Sequence, residues 1–284
     1  MKSKKNFFPY GRQKITKEDI DAVVKVLKSD FLTQGPCVSR FESALCNKLT
    51  VKHTIAVTNA TSALHLACIA LNLQKGDILW TSPNTFVASA NCAMYCGANV
   101  DFVDIDSNTG LMDVNKLSEK LEKAKLKDNL PKIVVPVHFS GSSCDMEKIH
   151  YLSKKYNFSI IEDASHAIGG TYKNMPVGNT KYSDFTVFSF HPVKIITTGE
   201  GGALCTNSKE LANLALKLRT HGIVKDKELF ENEDFGPWSY EQQMLGFNFR
   251  MNDLQASLGL SQLMRLDDIV NERNRQLNIY KKEL

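Results

Sequence analysis

The chemistry in this chain gathers around one lysine. Residues 185–206 read FTVFSFHPVKIITTGEGGALCT. Residues 185–190 are an apolar, β-branched and aromatic run, the pattern of a buried strand. Pro192 ends that run and Lys194 follows it. Ile195-Ile196-Thr197-Thr198 then leads into a glycine turn, Gly199-Glu200-Gly201-Gly202, and residues 203–206 form a second short apolar run. An ammonium is costly to desolvate, so lysine is rarely buried; where it is buried its pKa falls and the amine becomes a usable nucleophile. Taken alone, Lys194 reads first as a surface-loop lysine, so its companions decide.

Asp163 closes the apolar run at residues 158–161, after Glu162, and so is expected to be buried. A buried carboxylate needs a cationic or hydrogen-bond-donating partner, although alone such a residue is equally a helix cap. Ala60-Thr61-Ser62 stands at a helix start, where open backbone amides and two hydroxyls suit a phosphate; Thr and Ser are also ordinary caps. Ser189 puts a hydroxyl at a strand end, five residues before Lys194. Phe86, in Pro83-Asn-Thr-Phe-Val, stands at the mouth of another helix, as core or as a flat apolar face. One cofactor uses all of these groups. Pyridoxal phosphate has an aldehyde that condenses with an amine and a ring nitrogen that stays protonated beside a carboxylate. Its phosphate takes amides and hydroxyls, and its flat ring takes an aromatic face.

The elements that must position these groups alternate. A cap at Thr16, with Asp19 three residues on, opens a helix whose apolar face is expected to be Ile20, Val23, Val24 and Leu27. A second helix puts Val38, Phe41, Leu45 and Leu49 on one face. From residue 53 strands and helices then take turns: strands at 53–58, 77–81, 99–105, 133–137 and 158–161, and helices at 59–73, 85–95, from 113 and from 145. Ser208 and Asn252 cap two later helices, a polar loop fills 225–238, and a charged helix runs from 266. Residues 1–15 form an arm with a turn at Pro9-Tyr10-Gly11. This rhythm predicts an α/β fold, a mostly parallel sheet between helices, with ligands beyond the carboxyl ends of the strands. Asp163 and the 58–62 turn sit at such ends. The charge-rich stretch at 116–128 is a solvated helix face.

Composition removes other classes. A net charge of +4, with 43% hydrophobic and 23% charged residues, is that of a globular protein with no polyanion signature, so no nucleic-acid partner is expected. Seven cysteines without a CxxC pair indicate reduced thiols rather than zinc or disulfides, and hence a cytoplasmic setting with no metal. No apolar stretch is long enough for a signal or a membrane span. No GxGxxG follows the first strand, which argues against a dinucleotide-binding dehydrogenase.

The chain resembles the DegT/DnrJ/EryC1/StrS family of sugar-nucleotide aminotransferases, which have the aspartate aminotransferase fold. The resemblance rests on GPCVSRFE (35–42), VTNATSALHLA (57–67), SPNTFVASAN (82–91), IIEDASHAIGG (160–170), FSFHPVKIITTGEGG (188–202) and LGFNFRMNDLQASLGLSQL (245–263), in family order. It implies that Lys194 binds the cofactor aldehyde and that Asp163 holds the pyridine nitrogen. His166, otherwise a core histidine, would touch the ring or its O3′. Thr61, Ser62 and Ser189 would hold the phosphate, Phe86 would stack on the ring, and Asn248 would reach the phosphate of a partner subunit in a homodimer. The Thr33-Gln34-Gly35 loop and His191 are weaker candidates for substrate contact, with a structural turn as the other reading. The implied reaction moves an amino group from glutamate to C4 of a nucleotide-linked 4-keto-6-deoxy sugar. The wording at 191–202 is closest to the branch acting on the UDP-linked sugar of the pseudaminic acid route. The expected organisation is a cofactor-binding large domain over 1–265, with 266–284 the start of a truncated C-terminal domain. The alternatives are an aminotransferase for another nucleotide-linked keto sugar and an inactive truncated family member.

Overall fold

The computed structural model describes residues 11–232 and 236–284, so Pro9 and Tyr10 of the expected arm turn lie outside the described residues. The helices in chain order are α1 (Lys17–Leu27), α2 (Pro36–Leu49), α3 (Ala60–Ala70), α4 (Ala88–Tyr95), α5 (Val114–Lys125), α6 (Met146–Tyr156), α7 (Lys209–Arg219), α8 (Asp253–Leu263) and α9 (Leu266–Glu283). The central strands are β1 (His53–Val57), β2 (Ile78–Thr81), β3 (Asn99–Phe102), β4 (Ile133–Val135), β5 (Ser159–Asp163), β6 (Phe185–Ser189) and β7 (Gly202–Thr206). They form one sheet in the order β1-β7-β6-β5-β4-β2-β3. β3, β2, β4, β5 and β6 pair in parallel, while β7 runs antiparallel to both β6 and β1. The expected mostly parallel α/β sheet is therefore present.

The single reversal has a local cause. Parallel neighbours are usually joined by a helical crossover, whereas residues 190–201 form a helix-free loop that turns the chain back beside β6. That loop carries Lys194. The other connections are crossovers, so β1, β5 and β6 point the same way. Val57, Asp163 and Ser189 therefore end on one edge of the sheet.

Strand alternation feeds both faces. Ile161, Phe185, Val187 and Leu204 pack under α3, α4 and α7. Phe188, Ala203 and Cys205 pack against α2 and α8, and Val134 and Ile160 against α5 and α6. The capping residues read from the sequence hold: Asn59, Asp113, Asp145, Ser208 and Asn252 each accept a backbone N–H at the start of their helix.

Three expectations need correction. α4 begins at Ala88, not Thr85; residues 82–87 are a turn, in which the hydroxyls of Thr85 and Ser89 lie 2.7 Å apart. The loop over 225–238 is bracketed by a short antiparallel pair, Ile223–Val224 with Glu241–Gln242, which its polarity concealed. The largest difference is in α1. Ile20, Val24 and Leu27 stand exposed, while the buried residues are Val26 and the acid Asp19. Asp19 is more than a cap: besides the Thr16 N–H (2.9 Å) it accepts bonds from Ser261 (2.6 Å), Gln262 (2.7 Å) and Arg265 (2.6 Å). This polar hub fixes which side of α1 faces α8, and the apolar stripe is turned outward as a consequence.

Burial alone would raise the Asp19 carboxyl, but the bonds from Ser261, Thr16, Gln262 and Arg265 outweigh it and hold it below the usual range. Because the folded value is the lower one, its stabilisation is present above about pH 4 and is lost as pH falls through the folded value. Asp19→Ala also strands the guanidinium of Arg265 and should cost about 3 kcal/mol in urea unfolding. The difference from the unsubstituted chain should shrink in acid; a constant difference down to pH 2 would contradict this role.

Candidate active site

Beyond the carboxyl ends of β1, β5 and β6 lies a cavity of about 490 Å³. Thr61, Phe86, Asp163, His166, Ser189 and Lys194 all line it, as does His191. Residues far apart in sequence thus meet in one place. Two of the eight expected site residues do not line it. Ser62 is buried, with its hydroxyl 3.1 Å from that of Thr58 and its N–H donated to Asn59. Asn248 is exposed, bridged to Thr220 outside this chain's cavity. The Thr33-Gln34-Gly35 loop does not line the cavity; its Gly35 N–H donates to Asp253 of α8 at 3.1 Å.

The loop carrying Lys194 is held at both ends. Its own N–H donates to the His191 carbonyl at 2.9 Å; Thr197 Oγ1 and the Thr198 N–H both donate to the Phe190 carbonyl at 3.0 Å. Gly199, at φ +81°, makes the left-handed turn that a side chain would strain. Gly202 serves differently: a Cβ there would lie 2.5 Å from the Asn59 carbonyl carbon, so its bare backbone lets β7 seat the start of α3. As the first residues of that helix, Ala60 and Thr61 have N–H groups with no intrahelical acceptor, and both line the cavity.

Asp163 is 5% exposed and its carboxylate is satisfied by hydroxyls. Ser89 donates to one oxygen at 2.6 Å; Ser165 donates to the other through its hydroxyl (2.6 Å) and its N–H (3.1 Å). Among the described residues no cation pairs with it in contact. Lys194 lies close enough to feel its charge, yet burial dominates and lowers the amine's pKa, with Asp163 opposing. His166 is lowered too, by burial first and then by the Lys194 charge. The Ser140 N–H donates to His166 Nδ1 at 3.3 Å, which leaves Nε2 as the nitrogen able to carry a proton.

Sequence reasoning missed Ser89 and Ser165, the donors that satisfy Asp163. Ser165 had a signal: two residues after an aspartate is the spacing of an Asx turn. Ser89 had none beyond its place three residues after Phe86. The inner wall includes His138, wholly buried, whose Nε2 lies 2.7 Å from Glu162. The Cys144 N–H donates to His138 Nδ1, so Nε2 carries the hydrogen that Glu162 accepts. This pair braces the strand ends that carry Val137 and Asp163.

The observed groups fit pyridoxal phosphate: a half-buried amine, a buried carboxylate with its oxygens oriented, an open helix start with a hydroxyl, and an aromatic ring at the rim. Fold and cavity together define the class, the pyridoxal-phosphate-dependent aminotransferases. Comparisons agree. The profile of the DegT/DnrJ/EryC1/StrS aminotransferase family matches residues 13–284, and the chain belongs to that family, whose members depend on pyridoxal phosphate. It is 45% identical over 274 residues to the UDP-4-amino-4,6-dideoxy-N-acetyl-beta-L-altrosamine transaminase of Campylobacter jejuni, covering 96% of this chain and 69% of that protein. Among solved structures it is similar to Helicobacter pylori PseC, an aminotransferase of pseudoaminic acid biosynthesis (38% identity, TM-score 0.81, 92% of this chain and 66% of that one). It is also similar to the putative sugar aminotransferase Spr1654 of Streptococcus pneumoniae in its PMP form (29% identity, TM-score 0.86, 97% and 72%). The chain thus spans about two thirds of the length of these relatives.

Ser89→Ala removes one charge-assisted bond from Asp163, together with the Ser89 contact to the Thr85 hydroxyl. Such a bond is worth about 1.5–3 kcal/mol, so affinity for pyridoxal phosphate in an absorbance titration should fall by about tenfold or more. An unchanged affinity would show that Ser89 does not set the carboxylate.

Proposed function

We propose that this chain is the cofactor-binding part of an aminotransferase that moves an amino group from glutamate to C4 of a UDP-linked 4-keto-6-deoxy sugar, in the pseudaminic acid route. The single observation that carries the reading is the half-buried amine of Lys194 in one cavity with the oriented carboxylate of Asp163. The choice of sugar is supported by the names of the similar proteins from Campylobacter jejuni and Helicobacter pylori.

When bound, pyridoxal phosphate supplies an aldehyde that takes up amines and a ring that accepts electrons from the carbon being deprotonated. The residues supply the rest. Lys194 would be the amine that holds the cofactor's aldehyde, and its free amine would be the base that moves the amino donor's proton. Its lowered pKa favours the neutral form that this step needs. Asp163 would keep a proton on the cofactor's ring nitrogen, and Ser89 and Ser165 hold Asp163. Thr61, with the first amides of α3, and Ser189 hold the phosphate, and Ser62 positions Thr58 behind them. Phe86 would cover one face of the ring, His166 would offer Nε2 to the ring oxygen, and His191 would face the substrate.

The proposal extends to organisation. Residues 1–265 form the large domain, and α9 opens a second one. The molecule works as a cytoplasmic homodimer in which Asn248, exposed and outside its own cavity, serves the partner's phosphate. The exposed apolar residues Ile20, Leu27, Phe31 and Leu32 give a second copy a surface to cover. No helix among the described residues is long and apolar enough to cross a membrane.

Lys194→Ala should abolish attachment of the cofactor, seen as loss of the borohydride-trapped peptide. It should also lower amination of the UDP-keto sugar by at least about 10²–10⁴-fold, the usual worth of a general base. Borohydride labelling that persists in Lys194→Ala would overturn the assignment. Turnover of another nucleotide-linked keto sugar in preference to this one would move the reading to a different branch.

A further inference from the structure

A second polar cluster lies behind the cofactor cavity. His138 is wholly buried and Glu162 is 6% exposed, and residue 138 grips two successive residues of β5. Its N–H donates to the Asp163 carbonyl at 3.0 Å, and its Nε2–H donates to the Glu162 carboxylate at 2.7 Å. Nδ1 accepts the Cys144 N–H at 3.2 Å, so both ring nitrogens are engaged and the imidazole cannot turn without losing a buried bond. Glu162 also accepts from the hydroxyls of Ser183 and Thr186. From His138 the chain makes a tight turn. The Gly141 N–H donates to the His138 carbonyl at 3.1 Å, and Ser140 and Gly141 are both left-handed, at φ +54° and +89°. A serine rarely adopts that conformation; it persists where the surroundings over-determine it, and such residues gather at functional sites. Here it aims the Ser140 N–H at His166 Nδ1, 3.3 Å away. A Cβ at Gly141 would lie 3.0 Å from the His166 carbonyl oxygen, and the Phe139 ring meets the His166 imidazole edge-on at 6.2 Å between centroids.

We propose that the His138–Gly141 turn is a positioning element of the active site, pinned by the contact of His138 with Glu162, a role that rests on pyridoxal phosphate being the occupant of the cavity. Through its backbone the turn sets the place of Asp163; through the Ser140 amide it sets the tautomer and tilt of His166. Glu162 and Ser140 do not line that cavity, so they act through the two residues that do. An imidazole whose Nδ1 accepts an amide N–H carries its hydrogen on Nε2. An amide N–H cannot also accept, so it selects one tautomer; a hydroxyl at the same place could donate or accept and would leave both open. Removing Glu162 leaves the Nε2–H of a buried imidazole without its acceptor, and the ring that anchors the turn must then find another partner.

The pair Ser140→Pro and Ser140→Gly tests this at an exposed position of the full chain. Proline lacks the N–H and cannot take a positive φ, whereas glycine keeps the N–H and takes that φ freely. Ring-nitrogen NMR of histidine-labelled protein is read at mildly alkaline pH, where the imidazole is neutral, with His166 identified by its loss in His166→Gln. Nδ1 should be unprotonated and Nε2 protonated in the unsubstituted chain and in Ser140→Gly. In Ser140→Pro the two signals should move towards each other as the tautomers interchange. Affinity for pyridoxal phosphate, titrated by absorbance, should fall there by about tenfold, the worth of one hydrogen bond. Glu162→Leu should move the same signals, while Glu162→Gln, which keeps an acceptor for His138, should not; the Ser140 pair decides alone if the buried substitution unfolds the chain. A His166 left unchanged by Ser140→Pro, or shifted equally by Ser140→Gly, would overturn the proposal. Failure of the cofactor reading itself would look different: no absorbance change on adding pyridoxal phosphate to the unsubstituted chain, with His166 still responding to Ser140→Pro.

Discussion

The site depends on keeping an amine and a carboxylate in one cavity without letting them pair. A salt bridge between Lys194 and Asp163 would hold the lysine protonated and spend its nucleophilicity. The structure avoids this by giving Asp163 other donors. The hydroxyls of Ser89 and Ser165 occupy both carboxylate oxygens, so the acid is satisfied while buried and the lysine is left subject to burial. Burial then prevails over the attraction of Asp163 and lowers the amine's pKa. Neutral hydroxyls make this possible; an arginine in place of Ser89 would satisfy the same oxygens but add a second positive charge beside the amine.

The sheet supplies the distances. One strand, β7, runs against the rest, and its reversal places the lysine loop directly above the start of α3. Gly202 allows the close approach, since any side chain there would meet the backbone of Asn59 and Ala60. β5, next to β6, brings Asp163 to the same edge. The helix start, the lysine loop and the acid therefore follow the carboxyl ends of β1, β6 and β5, with β7 between the first two, so a rigid sheet sets their spacing.

Much of this was legible in the chain because the signals were local. Strand runs, capping residues and the glycine turn each follow from short-range rules, and they put Asp163, Ser189 and Thr61 at strand or helix ends. Where the reading failed, a long-range polar contact had overruled a local pattern. In α1 the stripe Ile20, Val24, Leu27 looked like the inner face, but a buried Asp19 bonded to Arg265, more than two hundred residues away, costs more to misplace than a few exposed methyl groups. Hydrophobic periodicity cannot register such a constraint, because it depends on a partner that is absent from the window.

The same logic separates the two serines around Asp163. Ser165 acts two residues from its partner, within reach of a turn rule. Ser89 acts across seventy-four residues, from a helix whose start the sequence placed too early. With the helix begun at Thr85, Ser89 is a mid-helix serine and of no consequence. Begun at Ala88, it falls in the first turn, where its hydroxyl can leave the helix and meet the acid on β5. A three-residue error in one boundary was thus enough to hide the donor that keeps the carboxylate from claiming the lysine.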